Sequence, residues 1–143
     1  MSMSKVSSTL HVVKTQAQRD FDGAAETCWD PNTDVYVCEE GIVIKVELAG
    51  MRREDLELIV ESNRLKIRGY RPDGCRAPKC KFLVMEINYG AFATAIELPK
   101  GYDLSQARAA YQNGFLRIDV PVQGGKPTDS NTITLATRES RIS

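Results

Sequence analysis

Residues 107–122 read ARAAYQNGFLRIDVPV, and this stretch constrains the fold more than any other. Asn113-Gly114 separates two runs in which apolar residues alternate: Ala107, Ala109 and Tyr111 before it, Leu116, Ile118 and Val120 after it. A type I′ turn needs positive φ at both central residues, and Asn followed by Gly tolerates that best, so the spacing predicts a two-residue β-hairpin. The hairpin sets the period of the chain at two. Side chains on alternate faces need a facing layer to bury the apolar half.

The same period runs backward through the chain between turn residues. Asp30-Pro31-Asn32 leads into a short strand at Asp34 to Val37, and Glu39-Glu40-Gly41 turns into Ile42, Ile44, Val46 and Leu48. Gly50 ends that strand, and Met51 to Asp55 is a charged connection with room for one helical turn. Leu56, Leu58 and Val60 alternate next, and Ser62-Asn63 turns into Leu65, Ile67 and Gly69. Two prolines and a glycine mark residues 72–81 as a loop. Residues 82–87 are apolar and strand-like, and Phe92, Thr94, Ile96 and Leu98 follow, closed by Pro99. Eight or so short strands without a long helical period predict an all-β fold, an immunoglobulin-like sandwich of two antiparallel sheets. The sandwich is expected over residues 29–122. Residues 1–28 form a polar arm, with spacing that suits a short amphipathic helix or disorder until a partner binds. Residues 123–143 form a flexible extension, in which Ile133 and Leu135 stand on one face of an extended tripeptide.

Composition narrows the function classes. At 143 residues the chain supports one domain with a core, and its 19 basic residues balance 19 acidic ones. Such neutrality gives no electrostatic reason to expect nucleic acid or an anionic membrane as partner. No run of about 18 apolar residues spans a bilayer. The first residues lack the apolar stretch of a secretory signal, so a cytoplasmic protein is expected. The single histidine, His11, lies in the polar arm, which is no platform for acid–base chemistry. No glycine-rich loop opens a helix to cradle phosphate. The chain is read as no enzyme and as needing no cofactor.

Four cysteines are too few for a disulfide scaffold. Cys75 and Cys80 share a loop with Arg76, Lys79 and Lys81, whose charges favour thiolate, so this pair is the candidate for a redox role. Their spacing is loose for zinc, and Cys28 and Cys38 complete a four-thiolate set only if the loop folds back on the first strand. Two unremarkable loop thiols remain the plainest reading.

Several of these segments resemble, in order and at matching separations, the α-crystallin domain of the small heat-shock protein family. They are Trp29-x-Pro31-x-x-Asp34-Val35, Leu48-Ala49-Gly50 followed by Glu54-Asp55-Leu56, and Arg64 to Gly69. Tyr89-Gly90-x-Phe92 to Leu98-Pro99 and Ala109-x-Tyr111-x-Asn113-Gly114-x-Leu116 follow, and Ile133-x-Leu135 matches the family's C-terminal tag. Alanine replaces the usual proline at Ala49, the strand from Phe92 to Glu97 lacks the family's basic residues, and the arm is short and poor in phenylalanine.

The resemblance implies an ATP-independent chaperone that holds unfolding client proteins, acting as a homodimer and higher homo-oligomer. It implies that Leu83, Met85 and Ile87 lie on a strand exchanged with a second subunit, which gives an edge strand a defined partner. The alternative keeps residues 82–87 in their own sheet. It also implies a groove between Leu58 and Val60 on one strand and Ala107, Ala109 and Tyr111 on another, filled by Ile133 and Leu135 or by client. A reading from another class is a CS-like interaction module or co-chaperone, which uses a similar sandwich without holding clients.

Overall fold

In the computed structural model, which describes residues 12–15, 28–73 and 79–124, the marked turns close antiparallel ladders. Asn113 and Gly114 have φ of 55° and 83°, and they join β7 (Arg108–Gln112) to β8 (Phe115–Pro121). Ser62, at φ 58°, turns β4 (Leu56–Glu61) into β5 (Arg64–Arg71). Glu39 and Glu40 join β2 (Thr33–Cys38) to β3 (Gly41–Glu47), and the charged connection holds one 3₁₀ turn, Arg53–Asp55. Two further strands, β1 (Val13–Thr15) and β6 (Gly90–Glu97), complete the set.

The strands form two four-stranded sheets, ordered β1-β6-β5-β4 and β2-β3-β8-β7, with every ladder antiparallel. Alternation supplies one core between them. Ile42, Ile44 and Val46 meet Leu116, Ile118 and Val120 in one layer. Leu56, Leu58, Val60, Leu65, Ile67, Phe92 and Ile96 come from the other. Removing each such side chain from water contributes about 1.5–3 kcal/mol, so the facing layers are held chiefly by apolar burial. Asn63 fastens the second sheet's turns together: its Nδ2 donates to the Leu98 carbonyl at 2.8 Å and its carbonyl accepts from Leu98 N at 2.9 Å. Among the described residues no helix is long and apolar enough to cross a membrane.

Two segments differ from expectation. Residues 82–87 form no strand, in their own sheets or elsewhere among the described residues. Arg71 and Gly90 are register partners, so β5 and β6 pair directly, and residues 72–73 and 79–89 belong to an excursion between them. β5 already lies between β4 and β6, and β6 between β5 and β1, so neither has a side free for another strand. Own-sheet pairing of residues 82–87 is thus not seen among the described residues. The second difference lies in the arm, where Val13–Thr15 is a strand and not a helical turn. It pairs with Ala95 to Glu97, the Thr94 hydroxyl donates to the Thr15 carbonyl at 3.3 Å, and Lys14 Nζ meets Asp30 Oδ1 at 2.6 Å. Val12, Val13 and Thr15 are β-branched and too few to nucleate a helix, whereas the edge of β6 offers ready backbone partners.

Candidate functional site

The surface that stands out is residues 79–89, which leave β5 and return to β6 with every residue exposed. Leu83 is 89% exposed, and Phe82, Val84, Met85 and Ile87 are exposed with it. A run of this kind is unusual on a monomer, because apolar side chains gathered in one stretch are normally covered. The family resemblance singled out Leu83, Met85 and Ile87, but Phe82 and Val84 are uncovered as well. The signal for them was present: Phe82-Leu83-Val84-Met85 is an unbroken apolar run, as in a strand covered on both faces.

A second uncovered feature is the edge of the other sheet. β2 pairs with β3 on one side and has no strand on its other side among the described residues. Tyr36 and Val37 are 45% and 48% exposed there. The sequence marked this segment only as a first strand. That it is a bare edge depends on strand order, which no local pattern encodes.

The five residues assigned to a groove lie at the opposite ends of the two strand orders. Leu58 and Val60 are on β4, the last strand of one sheet, and Ala109 and Tyr111 are on β7, the last strand of the other. Ala107 stands immediately before β7, after a 3₁₀ turn at Leu104–Gln106. Leu58, Val60, Ala107 and Ala109 are buried in the common core, with Tyr111 half-buried against it. Tyr111 also tethers the connection from β3 to β4. Its hydroxyl donates to the Leu48 carbonyl at 2.6 Å and accepts from Met51 N at 3.2 Å. Tyr111→Phe keeps the ring and removes both bonds, leaving two part-buried backbone groups with one partner fewer. It should destabilise the sandwich by about 1–3 kcal/mol in urea titration. An unchanged midpoint would show that water replaces the hydroxyl. Ile133, Leu135 and Cys75 lie outside the described residues.

The three described cysteines are spread apart. Cys80 is exposed at the start of the apolar excursion, and Cys38 is exposed at the end of β2, its thiol donating to the Gly41 carbonyl at 3.5 Å. Cys28 packs against Ala93 and Ala95 of β6. Those two alanines are buried, on the strand where the resemblance leads one to expect basic side chains. Among the described residues no three His, Cys, Asp or Glu side chains gather as metal ligands do. The site therefore consists of apolar surface and open backbone edge. What such a surface can do is bind other polypeptide.

Comparison with known proteins agrees with this architecture. Residues 34–136 match the model of the Hsp20/alpha crystallin family. The chain is 28% identical over 101 residues to small heat shock protein C2 of Rickettsia felis, covering 71% of this chain and 66% of that one. It is 30% identical over 91 residues to spore protein SP21 of Stigmatella aurantiaca, covering 64% and 54%. The matched region spans only 54% to 66% of the length of the first such relatives. Among solved structures, HspA of Xanthomonas axonopodis superposes with a TM-score of 0.62 at 27% identity, over 72% of this chain and 100% of that one.

Proposed function

The chain belongs to the Hsp20/alpha crystallin family, and from that premise we propose that it is an ATP-independent holdase, a chaperone that binds unfolding proteins and keeps them from aggregating. The observation that carries this reading is the exposed apolar run at residues 82–87, which has no ladder in its own subunit. Its resident partner is a second copy of the chain. The excursion adds as a strand to the bare edge of β2, with Leu83, Met85 and Ile87 turned toward the core side that Val35 and Val37 occupy. Exchange gives both edges a defined mate and keeps them from unspecific pairing.

Further assembly comes from the C-terminal extension, with Ile133 and Leu135 seated between β4 and β7. Full burial of two aliphatic side chains amounts to roughly 3–6 kcal/mol gross. Ordering the extension costs about 1–2 kcal/mol per residue fixed, so a single contact is marginal. Several such contacts in one oligomer reinforce one another through effective concentration, which makes assembly real but exchangeable. Surfaces that are weakly satisfied by the protein itself are open to non-native chains. With no phosphate-binding motif in the sequence, the protein acts in the cytoplasm by binding alone, and release follows mass action.

Light scattering of a heat-labile protein tests this directly. An equimolar amount of the full chain should suppress the rise in scattering on heating. Undiminished scattering at equimolar and at several-fold excess would leave a binding module without holdase activity as the better account.

A further inference from the structure

The inward face of β5 runs Leu65, Ile67, Gly69 and then, where the alternation calls for another apolar residue, Arg71. This side chain is only 9% exposed. Its Nε donates to the Asn88 carbonyl at 2.8 Å and its Nη1 to the Ala49 carbonyl at 3.1 Å. The guanidinium lies over the Trp29 ring, 4.3 Å from its centroid, with the Tyr89 ring at 5.8 Å. Trp29 is fixed in turn, its Nε1 donating to the Gly90 carbonyl at 3.1 Å. One cation thus joins both ends of the excursion, residue 71 where it leaves and residues 88 and 89 where it returns. Among the described residues no carboxylate pairs with it.

Burying a guanidinium without a counter-charge is no route to stability, since apolar replacements at such positions are often neutral or better. What a planar, weakly hydrated fork does well is hold two carbonyls at set angles while stacking on a ring. We infer that Arg71 is a positioning residue for assembly: it fixes the return end of the excursion, so that residues 80–87 project from a defined root toward a second copy. The inference rests on the strand-exchange reading. A segment held at its root loses less freedom on association than one that is loose at both ends.

Arg71→Met and Arg71→Lys test it on the full chain. Sedimentation would give the dimer dissociation constant, and thermal unfolding at a dilution where all variants are monomers would give the midpoint. Arg71→Met should raise the dissociation constant about tenfold through lost preorganisation, with the monomer midpoint unchanged or higher. Arg71→Lys keeps the charge but only one point of attachment, so its dissociation constant should fall between the two, and it carries the test if the methionine variant does not fold. A parent dimer that both variants leave equally tight overturns the proposal. So does a midpoint that drops in step with dimer affinity and is not restored by lysine, which would make Arg71 an ordinary part of the core. A parent chain that stays monomeric at all concentrations removes strand exchange itself, and this inference with it.

Discussion

Replacing Leu83, Met85 and Ile87 together by serine should leave a folded monomer at micromolar concentration. In an exchanged dimer each subunit contributes these three side chains, and covering each is worth about 1.5–3 kcal/mol, so the pair of segments supplies roughly 9–18 kcal/mol gross. A micromolar dissociation constant corresponds to about 8 kcal/mol net, and losing even half of the gross term moves it beyond the millimolar range. The same substitutions should hardly touch the fold of a subunit, because these residues are exposed and belong to no ladder. Substitutions at such positions usually stay within about 0.5 kcal/mol. Sedimentation velocity beside near-UV circular dichroism separates the two effects. A triple variant that still sediments as a dimer places the subunit contact elsewhere than residues 82–87.

The parts of this architecture that were legible in the sequence are those decided locally. Asn113-Gly114 dictates its hairpin because backbone strain at two residues selects them, and alternation in Leu56, Leu58 and Val60 dictates which face turns inward. What was not legible depends on a partner distant in the chain. Val13–Thr15 is a strand because the edge of β6, more than seventy residues later, accepts it. Its own sequence is too short to declare a period. Residues 82–87 have every local mark of a strand and are not one in this subunit, since strand propensity names no partner. Arg71 ends an apolar alternation with a charge, and it takes the Asn88 and Ala49 carbonyls and the Trp29 ring around it to explain how a cation is tolerated there. Leu58 and Ala109 illustrate a further limit. Alternation turns them inward, but facing the core and facing a groove between two edge strands leave the same mark in a sequence.

Phe92→Ala should produce the largest loss of stability of any single change considered for this chain. Phe92 is 1% exposed, and its ring meets Trp29 at a centroid separation of 5.1 Å. It also lies directly over Gly69, where an added Cβ would come within 2.7 Å of the ring and press on the Asp55 carbonyl. The glycine and the ring are fitted to one another, so no neighbouring side chain on β5 can move in to fill the space. That is the situation in which a cavity persists, and Phe→Ala then costs about 3–5 kcal/mol. Against a total of about 5–15 kcal/mol, this should lower the thermal midpoint by 12 °C or more at roughly 4 °C per kcal/mol. The consequence for function follows from the order of events on heating. On the proposed holdase reading the protein has to remain folded at the temperature where its clients lose structure, whereas the alanine variant would unfold alongside them and add its own core to the aggregate. Scanning calorimetry and the heat-labile client assay should therefore fail together for this variant. A midpoint within a few degrees of the parent would mean that Trp29 collapses into the void and that the fit between Phe92 and Gly69 is looser than the contact distances imply.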